Sequence, residues 1–181
     1  MSVIETKRLY LRSLSETDAT ADYVDWLNDP EVNQYLETRH SIQSVSSCKV
    51  FIKQCNEDRN SHLYGIFLKD GERHIGNTKI GFINEQYARG ELSLFIGDKA
   101  CWGKGLAGEV VQALTQYSFE SLGLKRIEAG CYENNLGSLR VFLKTGYTLE
   151  GFRRSHVSSG GSRQGCFVLG VINGEHIKNE A

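Results

Sequence analysis

The amino-acid sequence predicts a mixed α/β (α+β) domain built on one central sheet that is mostly antiparallel. Apolar residues alternate with a two-residue period in several short runs towards both ends of the chain. From Gly105 the apolar spacing becomes helical, and strand-like runs lie on either side, so a strand, helix, strand unit sits in the middle of the order. No linker-like stretch interrupts the chain, and 181 residues suit one domain better than two, with its core within about residues 6–174.

The elements follow in order. In residues 8–14, Leu9 and Leu11 alternate with Arg8, Tyr10 and Arg12, as in a half-buried strand. Thr17 or Asp18 can then cap a helix carrying Tyr23, Trp26 and Leu27, which Asn28, Asp29 and Pro30 stop, and a second short helix is expected from Glu31. Residues 44–56, with Val45, Val50, Phe51 and Ile52 apolar, read as another helix. Strand signals follow at residues 63–68, 75–83 and 91–96, separated by polar turns, and suggest an antiparallel meander. Leu106, Val110, Val111, Leu114 and Tyr117 mark one face of a long helix ending near Leu122 and Gly123. A strand over residues 126–132 leads to a helix that Asn135 can cap and that carries Leu139, Phe142 and Leu143. Gly146 closes it before two more strands, residues 147–157 and 164–172.

Composition excludes several classes. With 40% hydrophobic and 24% charged residues and a single proline, the chain is neither fibrous nor disordered. The net charge of -1 and the scattered basic residues speak against a nucleic-acid partner. No apolar run approaches the roughly 20 residues that span a bilayer. Met1 to Lys7 lacks the pattern of a signal peptide, so a cytoplasmic protein without a membrane partner is expected. Cys48, Cys55, Cys101, Cys131 and Cys166 are odd in number and unpaired in spacing, which favours reduced thiols, at least one of them buried. No Cys-x-x-Cys or His-x-x-x-His spacing appears, and no metal is expected.

The segment Trp102, Gly103, Lys104, Gly105, Leu106, Ala107, Gly108 lies between a strand and the long helix. Its glycines let backbone N–H groups converge, and a helix N-terminus adds partial positive charge, which suits a pyrophosphate. A plain glycine-rich turn would read the same. The segment lacks the Gly-x-x-x-x-Gly-Lys-Ser/Thr of nucleoside triphosphatases. It also lacks a dinucleotide fold's acidic residue at the carboxyl end of the next strand, because Glu128 comes early in its strand.

From Ile96 through Gly97, Asp98, Lys99, Ala100, Cys101 and Trp102 to Ala107, this run resembles the acetyl-CoA motif of the GNAT superfamily of N-acetyltransferases, in the tryptophan-bearing form of its RimJ/RimL-like, ribosomal-protein-alanine branch. Asn135-x-x-Ser138 followed by Lys144, Thr145, Gly146 and Tyr147 resembles the second motif of that superfamily. Residues 6–12, with Thr6, Arg8, Leu9, Leu11 and Arg12, and residues 26–32, from Trp26 to Val32, are similar to the start of the branch. The resemblance implies the GNAT fold: a mixed, mostly antiparallel sheet with helices on both faces and acetyl-CoA at its splayed centre. It implies that amides of Gly103 to Gly108 hold the pyrophosphate and that the main chain of Phe95, Ile96 and Gly97 pairs with the pantetheine arm like an added strand. Trp102, Phe142 and Lys144 join the cofactor contacts, and Asn135 and Ser138 face the thioester, although Asn135 is equally well explained as a helix cap. A homodimer is a further implication of the branch.

Acetyl transfer to an amine needs a proton acceptor, oxyanion stabilisation and protonation of the leaving thiolate. Glu91 lies opposite in face to Leu92, Leu94 and Ile96, so its carboxylate could reach an acceptor amine; a solvated strand-end glutamate is the other reading. The superfamily's usual acid, a tyrosine four residues after Ser138, is replaced by Phe142, which leaves Ser138 as first candidate and Tyr132 as second. Asp29, Glu31, Tyr35 and Glu37 are candidates for binding the acceptor, a cationic amine such as a protein N-terminus, a polyamine or an amino sugar. Two other classes remain open: a non-catalytic acyl-CoA-binding regulatory module, which Phe142 favours, and a nucleotide-binding oxidoreductase.

Overall fold

Leu9 and Leu11 are fully buried while Tyr10 and Arg12 are not, and this alternation seats the first long strand on a core it covers with one face only. A computed structural model of the chain describes residues 3–159 and 161–174. Its strands are β1 (Ile4–Glu5), β2 (Leu9–Ser13), β3 (His62–Leu68), β4 (His74–Asn84), β5 (Arg89–Ile96), β6 (Arg126–Tyr132), β7 (Thr148–Ser159) and β8 (Ser162–Ile172). The helices are α1 (Ala21–Asn28), α2 (Pro30–Asn33), α3 (Val45–Glu57), α4 (Leu106–Glu120) and α5 (Leu136–Lys144), with three short 3-10 turns.

The strands form one sheet in the order β1-β2-β3-β4-β5-β6-β8-β7. Every neighbouring pair is antiparallel except β5 and β6, the two strands that α4 connects. That parallel pair is brief: it joins Arg89 to Arg126, Gly90 to Ile127 and Glu91 to Glu128, and then the strands part. Beyond Glu91, β5 keeps β4 on one side as far as Ile96 and, among the described residues, has no strand on the other.

Each face of the sheet carries its own core. Leu106, Val110, Val111 and Leu114 of α4 and Phe142 of α5 pack with Leu9, Leu11, Ile75, Leu92 and Ile127 on one face. On the other, Tyr23 and Leu27 of α1 and Cys48, Ile52 and Cys55 of α3 pack with Leu63 and Phe67. The five cysteines are all free and buried, none more than 7% exposed.

Two local expectations are corrected. Neither Thr17 nor Asp18 caps α1. Thr20 does, accepting from the Tyr23 N–H, because Asp18 sits in a preceding 3-10 turn and is drawn to Arg12 by two bonds of 2.6 and 2.9 Å. In α3, Val50 and Phe51 are exposed and the buried stripe is Cys48, Ile52 and Cys55, so two thiols do the work of small hydrophobic side chains. The long helix also stops slightly short of expectation, at Glu120, before Gly123 turns the chain with a φ of +68°.

Candidate functional site

The parting of β5 and β6 creates the site, and the sequence around it dictates the shape. At the far end of β5, Gly97 is buried beneath Trp26 of α1, and a Cβ there would lie 2.2 Å from the indole. The chain then makes the 3-10 turn Lys99–Cys101, initiated by Asp98, whose side chain accepts from the Ala100 N–H and pairs with Arg73 at 2.6 Å. Trp102 folds back so that its indole N–H donates to the Ile96 carbonyl at 2.8 Å. Gly103 and Gly105 adopt φ of +71° and +75°, the left-handed region that side chains avoid, and Gly105 is the N-cap of α4. The first-turn amides of Leu106 and Ala107 therefore point out of the helix end without intrahelical acceptors. The Gly108 N–H, by contrast, donates back to the Gly105 carbonyl at 3.2 Å.

Arg8 joins this loop, and its sequence motif did not reveal it as a site residue. Its Nε donates to Glu109 in the first turn of α4 at 2.5 Å, and its Nη2 lies 3.7 Å from where a Gly105 Cβ would stand. The cue was present in residues 6–12, but only folding brings that strand beside the loop.

On the opposite side of the sheet from α4, a cleft of about 570 Å³ runs from the apex of the split outwards. Glu91, Ser93 and Phe95 of β5 and Glu128, Gly130 and Tyr132 of β6 line its two walls, with Lys79 of β4 and Arg153 of β7 behind them. That size lies within the range of small-molecule sites. Glu91 is half-buried at the apex. Burial, then the neighbouring Glu128 carboxylate, raise its pKa above the ordinary glutamate value, and Arg153 and Lys79 oppose the shift.

Tyr132 stands across the mouth. Its hydroxyl donates to the Glu37 carboxylate and accepts from Arg39 at 2.9 Å, and its ring meets Tyr35 edge-on at 6.0 Å. Arg39 also donates to the Ser158 carbonyl at 3.0 Å, and Tyr35 to the Asn134 carbonyl at 3.1 Å. The 3-10 turn Glu37–His40 thus straps the helical side of the cleft to β6 and β7.

Asn135 caps α5 by accepting from the Ser138 N–H at 3.1 Å, and the Ser138 hydroxyl lies 3.3 Å from the Cys131 thiol. Burial pushes that thiol up to about 11, so it is not a nucleophile at neutral pH. Phe142, expected among the cofactor contacts, is 2% exposed and packs edge-on against Tyr147, which makes it a core residue with almost no surface for a ligand. Lys144 is exposed at the end of α5.

The four residues expected at the acceptor separate into two groups. Tyr35 and Glu37 line the cleft. Asp29 and Glu31 are instead clasped by Lys99, at 2.7 and 2.6 Å, which ties α2 to the turn before the glycine loop. Among the described residues no group of three or more His, Cys, Asp or Glu is placed to hold a metal ion, and no helix is long and apolar enough to cross a membrane.

A sequence model of the GNAT acetyltransferase domain matches residues 8–148, which hold both arms of the split sheet and the glycine loop between them. The chain belongs to the GNAT acetyltransferases. YoaA of Bacillus subtilis, an uncharacterized N-acetyltransferase, is 32% identical over 173 residues, covering 94% of this chain and 96% of its own. Among solved structures, spermidine N-acetyltransferase from Vibrio cholerae in complex with CoA and spermine superimposes with a TM-score of 0.84 at 19% identity, covering 94% of this chain and 98% of that one. RimL, the ribosomal L7/L12 α-N-protein acetyltransferase in complex with CoA, does so with a TM-score of 0.83 at 18% identity and the same coverage. This GNAT protein is accordingly an acetyl-CoA-dependent N-acetyltransferase, with acetyl-CoA as cosubstrate and an amine as acceptor. The geometry fits that cosubstrate: two left-handed glycines open the loop at the α4 N-terminus, and beyond Glu91 one side of β5 is left without a strand partner among the described residues.

Proposed function

We propose that this acetyltransferase moves the acetyl group to a primary amine, of a protein N-terminus or a small molecule, by direct attack while both substrates are bound, with Glu91 as the base. The observation that carries this is the position of Glu91: it stands on the last paired rung of β5 and β6, where the unpaired run of β5 towards the glycine loop meets the acceptor cleft.

In this reading the amides of the 103–107 loop, with Arg8 beside them, hold the pyrophosphate at the positive end of α4. The free side of β5 hydrogen-bonds the pantetheine arm and aims the thioester at the apex, through groups other than the Ile96 carbonyl and the Gly97 N–H, which Trp102 and the Ile75 carbonyl already hold. The acceptor enters as an ammonium ion and is drawn by the Glu91 carboxylate, which takes a proton directly or through one water. Its nitrogen then forms the bond to the acetyl carbon and gives up its second proton, the carbon–sulfur bond breaks, and the thiolate leaves with a hydrogen bond and a proton from a group beside the split between β5 and β6, on the α5 face of the sheet. Ser138 is the first candidate there, since its backbone is fixed by Asn135 and, among the described residues, its hydroxyl is held by Cys131 alone. Tyr132 is the second, because its proton is already given to Glu37. The acceptor's remaining surface would meet Tyr35, Glu37 and the strap around them. Spermidine and spermine, and the N-terminus of a ribosomal protein, are the acceptors to try first by kinship, and we place the reaction in the cytoplasm.

The test is CoA thiol release over a panel of polyamines, N-terminal peptides and amino sugars. With the acceptor that works, Glu91→Gln is expected to lower kcat about 100-fold and Ser138→Ala about tenfold, with little change in the KM for acetyl-CoA. An unchanged kcat in Glu91→Gln would remove Glu91 from the mechanism.

A further inference from the structure

Glu91 is not alone at the apex, and the geometry points to a second carboxylate that works through it. We propose that Glu128 is a positioning residue that completes a proton-accepting pair of carboxylates at the head of the cleft, with Glu91 the member that takes the proton. The proposal rests on the reading of Glu91 as the base.

In a parallel pair, opposed residues project to the same face, and neighbouring strands lie about 4.8 Å apart. Glu91 and Glu128 are opposed on the last rung before β5 and β6 diverge, and both line the cleft. Their surroundings differ sharply. Glu128 is anchored: it accepts from the Arg126 Nε at 3.0 Å, and Arg89 lies 3.6 Å from its other oxygen. Arg126 is itself braced. It crosses β8 at Gly170, where a Cβ would stand 2.7 Å from the guanidinium, and grips both oxygens of Glu150 on β7. One rung of arginines and a glycine in β8 thus hold one carboxylate in place across four strands.

Among the described residues, Glu91 has no such anchor. The groups that face it are Glu128 on β6, Lys79 on β4, Arg153 and His156 on β7, Cys166 on β8 and, across the cleft, Glu37. Burial is the first influence on it and the Glu128 charge the second, both favouring the proton-bound form. An arriving ammonium ion is attracted by two carboxylates, and when one of its protons passes to Glu91 the repulsion between them ends. The fixed anion therefore makes its neighbour a stronger base without touching the substrate. A glutamate anchored only for structure would affect the melting temperature and leave the titration of Glu91 where it was.

The readout is the titration of Glu91 by carbon NMR of the full chain labelled at glutamate side-chain carboxyls, the resonance being assigned by its loss in Glu91→Gln. Glu128→Gln keeps an oxygen for Arg126 and removes the charge, and the Glu91 midpoint is expected to fall by about one pH unit. Glu128→Asp should restore most of that fall. Arg89→Gln, at a side chain that is 45% exposed, leaves the Glu128 charge less compensated and should raise the midpoint. An unmoved midpoint in folded Glu128→Gln, or in Arg89→Gln should the first variant not fold, overturns the proposal. If Glu91→Gln retains the parent's activity and pH–rate profile, the base assignment fails instead, while the coupling of the two carboxylates is still read by NMR.

Discussion

At the scale of single residues, chemistry and stability pull against each other at Glu91. Its pKa is raised, so the fold prefers the protonated carboxyl: the stability it contributes is fully present below the unfolded glutamate pKa and is lost as pH rises through the folded one. Glu91→Gln removes that loss. Thermal melts are expected to show the variant a few degrees more stable than the parent at pH 8 and equal to it near pH 4, while it loses activity. Equal curves at both pH values would mean that burial does not penalise the charge. Glycine positions were legible at this scale where the demand is local, as at Gly103 and Gly105, whose left-handed backbone follows from the turn into a helix. Gly97 and Gly170 were not, because what forbids a side chain there is Trp26 in one case and Arg126 in the other, each brought in from a distant segment. The same holds for Asp29 and Glu31, whose partner Lys99 no spacing could have named.

Among the elements, α5 links the fold to the reaction most directly. Its N-cap Asn135 bonds to the N–H of Ser138, so one side chain both satisfies the helix end and fixes the candidate acid. Asn135→Ala is expected to cost about 1 kcal/mol in denaturant unfolding and to lower kcat more than it raises KM. Restoration of the stability but not the rate in Asn135→Asp or Asn135→Ser would show that the amide has a part beyond capping. Strand and helix identities were readable because hydrophobic period is a property of the segment itself, and the β5, α4, β6 unit emerged from that alone. What periodicity could not supply was the α3 stripe, where Cys48 and Cys55 flank Ile52 in place of the expected Val45, Val50 and Phe51. Nor could it supply the length of the β5 and β6 contact, on which the rung shared by Glu91 and Glu128 depends. Phe142 illustrates the remaining limit: as a departure from a motif it suggested lost catalysis, and in the fold it is simply core.

Over the whole molecule, one sheet serves two cores, with α4 and α5 on one face and α1 and α3 on the other. Neither core can dissolve without exposing the strands that bound both, so unfolding should be a single cooperative step. Ile52→Ala, in the α3 core, is expected to cost about 2–5 kcal/mol and to shift tryptophan fluorescence and far-ultraviolet circular dichroism by the same denaturant concentration. Separate transitions by the two probes would show that the faces melt independently. The buried thiols bear on how such a protein is assayed. A disulfide dye that counts the CoA set free by turnover should find almost nothing to react with on the native chain, since all five cysteines are covered. The same dye, in denaturant, should score five equivalents per chain, so one reagent reports the enzyme's catalytic output while it is folded and its own loss once it is not.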